Sequence, residues 1–158
     1  MRLSARVDYA LRATAVLAAA PRDEWVRADS IASEQEVPRK FLESILVQLR
    51  NGSIVQSKRG ADGGHRLSCP ADEVSLADII RCVDGPLLGV RGQRPEHIRY
   101  RGAAGTLTDV LIALRAAERN ILEHVTLADI AAGTLPGPIA DLVDDPDAWT
   151  IRDLPKSE

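Results

Sequence analysis

The stretch from Ser30 to Ser68 restricts the fold of this chain more than any other part of it. It reads as a short helix, a tight turn at residues 36–38, a second helix, and two short β runs around the sequence RGADGG. This order predicts a helix-turn-helix followed by a β wing. Such an arrangement can lay its second helix in a major groove of DNA and place a basic loop beside it.

Apolar periodicity predicts the helices in and around this motif. A first helix, ended by Pro21, has an apolar face made of Leu3, Val7, Ala10, Leu11, Thr14, Leu17 and Ala18. A second helix spans residues 28–34, and Pro38 suits the first turn of a third helix that runs to about Asn51. The third helix is predicted to bury Phe41, Leu42, Ile45, Leu46 and Leu49 and to end on Gly52 as a left-handed cap.

Three later segments begin with one capping pattern, a hydroxyl followed three residues on by a carboxylate. The pairs are Ser75 with Asp78, Thr106 with Asp109, and Thr126 with Asp129. In each pair the hydroxyl can accept from the helix backbone while the carboxylate reaches back, which is the arrangement of a capping box. The pattern predicts three helix starts, and we interpret it as repeated capping chemistry, since the flanking sequences differ.

The helix that begins near Thr106 carries a long apolar stripe. Its members are Leu107, Val110, Leu111, Leu114, Ala117, Ile121, Leu122 and Val125. The preceding loop at residues 85–105 is rich in Gly and Arg and long for a compact domain, which favours a functional or mobile segment. Residues 133–158 hold several prolines and aspartates and are predicted to form an irregular acidic tail.

Polar side chains lie opposite the buried face of the third helix. They are Arg39, Lys40, Glu43 and Ser44, together with Val47. Lys can address guanine acceptors and Glu can accept from cytosine N4, although a solvated helix face would have a similar composition. The wing adds Lys58, Arg59 and Arg66 where they could flank a bound duplex, and Arg59 at its tip suits a narrow minor groove. Helix and wing together favour binding to double-stranded DNA.

The overall charge of −3 argues at first sight against a nucleic-acid ligand, but the distribution does not. Residues 1–68 contain 11 Lys and Arg against 8 Asp and Glu, whereas residues 69–158 contain 9 against 15. A locally basic reader on an acidic remainder fits specific, salt-sensitive DNA binding better than general coating of DNA. The acidic half also supports an alternative, a winged helix that binds another protein.

Four segments resemble the Rrf-two family of winged-helix transcriptional regulators, over roughly residues 1–130. They are MRLSARVDYALRA, VPRKFLESILVQLRNGSIV, SKRGADGGHRL and EVSLADIIRCVDGPL. The resemblance implies a homodimer formed through the helix from Thr106 to Val125. It also implies that the protein binds a partly palindromic operator, usually as a repressor. By position it places Lys40, Glu43 and Ser44 in the groove and Arg59 at the wing tip.

The chain departs from the family pattern in the wing and in the sensor loop. Ala61, Asp62 and His65 stand where the family often has Pro, Gly and Tyr. Many relatives hold an iron–sulfur cluster on three cysteines of this loop, but residues 85–105 contain none. Asp8 matches an acidic ligand of some relatives but lacks partners, and His97 is a lone loop histidine. No cofactor is therefore expected.

The two cysteines leave a second alternative open. Cys69 and Cys82 form no recognised metal spacing, and we interpret them as small buried hydrophobes. The rival reading is a redox pair in a thiol-based regulator, because a cytosolic disulfide is more often regulatory than structural.

No catalytic constellation is present, so an enzyme is not expected. The GADGGH segment does not lead a strand into a helix, as a phosphate-binding loop would. The three histidines have no companion residues at a spacing typical of a catalytic site. No apolar run approaches the roughly 18 residues of a membrane span. Charges at Arg6, Asp8 and Arg12 argue against a signal peptide, which predicts a cytoplasmic protein without a membrane partner.

The predicted architecture is mainly α with a small β wing. A winged helix-turn-helix domain occupies residues 1–84, a sensor-type loop 85–105, a dimerisation helix with a short following helix 106–132, and the tail 133–158. An effector, either a small molecule or a protein, is expected to act through the loop, and the sequence does not identify it.

Overall fold

Helices dominate the computed structural model, which describes residues 2–151. In chain order the elements are α1 Ala5–Ala19, α2 Ala28–Glu34, α3 Arg39–Asn51, β1 Val55–Lys58, β2 Gly64–Leu67, α4 Leu76–Val83, α5 Leu107–Leu122, α6 Leu127–Ala132 and α7 Gly137–Asp144. Short 3₁₀ turns lie between several of them. The predicted mainly α fold with a small wing is confirmed.

The core forms where α1 crosses α3, α4 and α6. The fully buried aliphatic side chains that meet there include Val7, Ile31, Leu42, Ile45, Leu46, Leu49, Ile79 and Leu127. Thr14 is the one buried polar side chain of this core within the described residues, and its hydroxyl donates to the Ala10 carbonyl at 2.8 Å. This bond satisfies the hydroxyl inside α1, so the core carries no unpaired donor there.

The wing is a two-stranded antiparallel hairpin. Val55 pairs with Leu67 at its base and Lys58 with Gly64 near its tip. A third segment adds an isolated bridge at Val26, whose N–H donates to the His65 carbonyl at 2.9 Å. A Cβ on Gly64 would lie 2.6 Å from the Val26 carbonyl oxygen, so a glycine is needed where these backbones approach.

Two of the three predicted capping boxes are confirmed. Ser75 and Thr126 have extended backbones, and their hydroxyls accept from the N–H of Asp78 and Asp129, while both carboxylates reach back. Thr106 makes no side-chain cap, because its backbone is already helical after the 3₁₀ turn at Gly102–Ala104. The capping prediction at that position was wrong.

Helix α3 ends at Asn51 as predicted, but the left-handed residue that follows it lies one position later than predicted. Gly52 has φ −81°, and the positive φ of 61° belongs to Ser53. Gly52 meets a steric demand, since a Cβ there would lie 2.3 Å from the Cys82 sulfur. Phe41 is also misassigned: it is 50% exposed and lies at the edge of the buried face, with its ring edge-on to Tyr9 at a centroid distance of 6.4 Å.

The tail is more ordered than predicted. Residues 137–144 form α7, whose Ile139 is buried, so an irregular chain was the wrong expectation for this stretch. A proline at position 138 is compatible with the first helical turn, where no intrahelical N–H bond is lost. Residues 152–158 of the predicted tail lie outside the described residues.

Candidate nucleic-acid interface

The outer face of α3 is polar and exposed. Leu42, Ile45, Leu46 and Leu49 anchor the opposite face in the core, which turns Arg39, Lys40, Glu43 and Ser44 to the solvent. The Ser44 hydroxyl donates to the Phe41 carbonyl at 2.8 Å and keeps its acceptor lone pairs available. The side chain of Lys40 pairs with no other residue between 2 and 151.

Arg39 is held by two carboxylates. Its Nε donates to Glu43 at 2.9 Å along the helix, and a terminal nitrogen pairs with Asp29 of α2. The hydrogen bond to Glu43 and the charge of Asp29 raise the pKa of Arg39. Arg39 therefore orients Glu43 on the exposed face, and its own charge is largely compensated.

The beginning of α2 joins the wing to α3. Arg27 donates to the Ala61 carbonyl in the wing turn at 3.1 Å, and Asp29, two residues later, pairs with Arg39 at the start of α3. The wing turn and the first turn of α3 are thus neighbours on one side of the molecule. Arg27 and this link were not predicted from the sequence.

Trp25 fixes two of the predicted wing cations. The Arg66 guanidinium lies 4.4 Å and the Lys58 ammonium 5.9 Å from the centroid of its ring. Arg66 also donates from Nε to Gln56 at 3.1 Å across the hairpin. Arg66 is half-buried by these contacts, so it braces the wing more than it projects from it.

Arg59 is the exposed cation at the wing tip. Its side chain makes no hydrogen bond, ion pair or ring contact with the rest of the described chain. His65, farther down the hairpin, has its pKa lowered by burial and by the charge of Arg50, so it is neutral at pH 7. The positive charge of the tip therefore rests on Arg59 and Lys58.

Both cysteines line one open cleft of about 620 Å³ between the end of α3, the wing base and α4. Burial, with Glu73 as the next cause, raises the pKa of Cys69, and burial likewise raises the pKa of Cys82. Both groups are therefore thiols and not thiolates at pH 7, which opposes the redox-pair reading because the thiolate is the reactive form.

The protonation of both cysteines predicts a slow reaction with thiol reagents. We expect Cys69 and Cys82 in the folded protein to react with a maleimide more slowly at pH 7.5 than in the protein unfolded by urea, as followed by mass spectrometry. Faster labelling of either cysteine in the native protein than in the unfolded one would contradict the assignment of inert thiols.

The residues of this chain do not fit an iron–sulfur cluster. The loop at 85–105 has no thiolate to offer, and Asp8 is engaged in an ion pair with Arg12 on α1. Over residues 2–151, no three His, Cys, Asp or Glu side chains come together in a way that could hold a metal ion. His97 is an exposed side chain on a 3₁₀ turn, next to Glu96.

Helix α5 presents an apolar surface that no other part of residues 2–151 covers. Leu107, Val110 and Leu114 are 46%, 55% and 39% exposed, and no residue of α5 is buried. Leu111, Ile121 and Leu122 are half-buried. The predicted dimerisation set loses Val125, because that residue is 2% exposed in the subunit core and its carbonyl accepts from the Leu76 N–H.

An ion-pair network ties α4 to α5. Glu123 accepts from Arg119 at 2.9 Å and also pairs with Arg81 of α4, and these bonds, the Arg119 bond first, lower the pKa of Glu123 to about 2. The folded pKa lies below the ordinary value of 4.5. The stability that Glu123 contributes is therefore complete above about pH 4.5 and is lost as the pH falls towards 2.

This titration can be isolated by substitution. We expect Glu123→Gln to flatten the dependence of the free energy of unfolding on pH between about 2 and 4.5, measured by urea denaturation. Arg119→Gln, which removes the first of the two guanidinium partners of Glu123, should flatten the same dependence. An unchanged slope in Glu123→Gln would contradict the assigned network.

Comparison with known proteins agrees with this geometry. The model of the family Rrf2, described as iron-dependent transcriptional regulator, matches residues 3–133. Rv1287 of Mycobacterium tuberculosis H37Rv, which bears the name "Putative HTH-type transcriptional regulator", is 46% identical over 92% of this chain and 90% of its own length. CymR of Bacillus subtilis, an HTH-type transcriptional regulator, is 31% identical over 85% of this chain and 92% of its own.

A solved structure supports the same assignment. The solved structure of CymR, described as the global cysteine regulator of B. subtilis, superposes with a TM-score of 0.68 at 28% identity, and the match covers 85% of this chain and 98% of that one. No helix within residues 2–151 has the length and apolarity to cross a membrane. By its fold, its wing and its matched sequence, the chain belongs to the Rrf2 family of winged helix-turn-helix transcriptional regulators.

Proposed function

We propose that this protein is a homodimeric repressor that binds a partly palindromic operator. In this proposal Lys40, Glu43 and Ser44 of α3 read base edges, while Arg59 enters the neighbouring minor groove. One observation carries it: the beginning of α2 holds the wing turn and the first turn of α3 side by side through Arg27 and Asp29. A duplex lying on α3 would meet the wing at the same time.

The other predicted DNA-binding residues have supporting roles. Arg39 holds Glu43 in place, and Arg66, stacked on Trp25, stabilises the position of the wing. Lys58 shares the Trp25 ring and adds positive charge near the phosphates. These roles explain why the cations differ in exposure although all of them lie near the same surface.

The exposed stripe of α5 supports the dimer. Burying Leu107, Val110 and Leu114 against a second copy would remove them from water, with Leu111, Ile121 and Leu122 at the margin. A twofold dimer places two recognition helices about one turn of DNA, or a multiple, apart, and its symmetry matches a palindrome. Repression is the mode of action that the family resemblance implies, and a cytoplasmic location is part of the proposal.

Selection of bound duplexes from a random pool tests the proposal. The selected sequences should share a partly palindromic pattern, and affinity for the selected duplex should exceed that for a scrambled duplex by about 10³-fold or more at physiological salt. Log affinity should fall linearly with log salt concentration for both. Equal affinity for both duplexes would favour the alternative, a winged helix that binds another protein through its acidic half.

Removing one carboxylate tests the reading of bases. We expect Glu43→Ala to relax the preference at one position of each half-site by about 1–3 kcal/mol, measured by competition with single-base variants of the selected duplex. Glu34→Ala, an exposed carboxylate on α2, is the matched control and should leave every preference intact. Unchanged discrimination in Glu43→Ala would remove Glu43 from the set of base-reading residues.

A further inference from the structure

A cleft lined by four arginines lies between the winged domain and α5. It has a volume of about 450 Å³ and is walled by the end of α4, by the loop that follows it and by α5. The arginines are Arg81, Arg94, Arg115 and Arg119, and the cleft also contains Glu96. Its volume falls in the range of small-molecule sites in proteins.

The carboxylates near the cleft do not compensate all four cations. Arg81 and Arg119 share Glu123, and Arg115 pairs with Glu96. Asp78 lies 3.8 Å from Arg81. Arg94 pairs with no carboxylate of the described chain. Four guanidinium groups thus face three carboxylates, and one positive charge is left over.

Several N–H donors of these arginines are unused, although only one of the four positive charges lacks a carboxylate. A guanidinium carries five N–H donors in a planar fork. Arg119 uses Nε for Glu123, Arg115 uses one terminal nitrogen for Glu96, and the side chain of Arg94 uses none within residues 2–151. Forks of this kind bind the oxygens of phosphate and carboxylate groups in pairs.

The backbone sets the position of Arg94. Val90 and Gln93 exchange N–H···O bonds of 2.9 and 3.0 Å across a two-residue turn. Arg91 and Gly92 in that turn have φ of 52° and 73°, the combination that a tight hairpin of this type requires. Arg94 follows at once and is succeeded by a buried proline, so it is held at the edge of the cleft.

We propose that this cleft binds a compact small molecule that carries clustered anionic oxygens, of the pyrophosphate or tricarboxylate kind. Such a ligand receives donors from Arg94, Arg115 and Arg119 at once. It bridges the winged domain, which carries Arg81, to α5. The proposal adds an effector site to the DNA-binding function above and, as a binding site, does not depend on that function.

The bridge links ligand binding to DNA binding. A ligand that contacts both α4 and α5 binds best to one relative position of these helices and so shifts the population towards it. If α5 joins the two subunits, this shift changes the spacing of the recognition helices. By reciprocity, the operator then changes the affinity for the anion by the same factor.

Calorimetry of the full-length protein tests the site directly. Pyrophosphate and citrate are titrated separately at equal ionic strength set with NaCl, and at least one should bind saturably. Arg94→Gln should weaken that binding by about tenfold, as expected for lost charge-assisted hydrogen bonds. Arg99→Gln, an exposed loop arginine outside the cleft, should leave the affinity unchanged.

Two results overturn the site: no saturable binding of either anion, or equal weakening in Arg94→Gln and Arg99→Gln. Matching thermal unfolding curves show that both variants are folded. Preference for pyrophosphate or for citrate identifies which class of anion the cleft takes.

Measurements of operator affinity test whether the arginine cleft is distinct from the DNA-binding surface. Without added anion, Arg94→Gln should bind the selected duplex as tightly as the unsubstituted protein, and weaker binding would make the DNA backbone the ligand and overturn the proposal. The anion should shift the operator affinity of the unsubstituted protein and not that of Arg94→Gln. Anion binding that leaves operator affinity unchanged would uphold the site and overturn its regulatory role.

Discussion

Val110→Asp is expected to leave the protein monomeric and to weaken operator binding by about 10²-fold or more, because the second half-site would no longer be held by the same molecule. Val110 is 55% exposed in the subunit, so the substitution removes little packing within it. In a dimer formed through α5, the same change buries a carboxylate without a partner, which is strongly unfavourable.

Ala116→Asp is the matched control for the loss of the dimer. Ala116 is also exposed on α5 but lies about 120° around the helix from Val110. Sedimentation equilibrium should give a monomer for Val110→Asp and a dimer for Ala116→Asp. Operator affinity should fall in Val110→Asp and stay unchanged in Ala116→Asp. A dimeric Val110→Asp protein would place the subunit contact elsewhere.

Arg59→Ala is expected to weaken operator binding and to reduce the slope of log affinity against log salt by about one unit, since one phosphate-neutralising cation is lost. The exposed side chain of Arg59 has no partner among the described residues, so its removal should not change stability. Any effect on DNA then reports direct contact.

Fluorescence anisotropy of a labelled selected duplex, at several salt concentrations, measures both quantities for Arg59→Ala. Arg101→Ala removes an exposed arginine at the start of the 3₁₀ turn before α5 and should reproduce the unsubstituted protein. The same affinity and salt slope in all three proteins would exclude Arg59 from the interface.

Local sequence signals predicted most of the helices. The bounds of α2 and the end of α3 agree with periodicity and turn residues, and two capping boxes begin α4 and α6 as predicted. These features depend on residues a few positions apart. The third capping box failed because the preceding turn had already made Thr106 helical, which the pattern of hydroxyl and carboxylate cannot reveal.

Contacts between distant residues account for what the sequence did not predict at the candidate interface. Trp25 stacks on Arg66, and Arg27 donates to the wing turn 34 residues away. No local pattern marks either residue, since each acquires its role only when the segment around Val26 pairs with the wing. The same limit applies to Val125, whose burial results from pairing with the segment before α4.

A crystal structure of the protein bound to its selected duplex tests most directly whether α3 and the wing contact one duplex together. We expect the side chains of Lys40, Glu43 and Ser44 in the major groove and Arg59 in the adjoining minor groove of the same half-site. A complex in which the wing points away from the DNA, or in which α3 is covered by the other subunit, would contradict it.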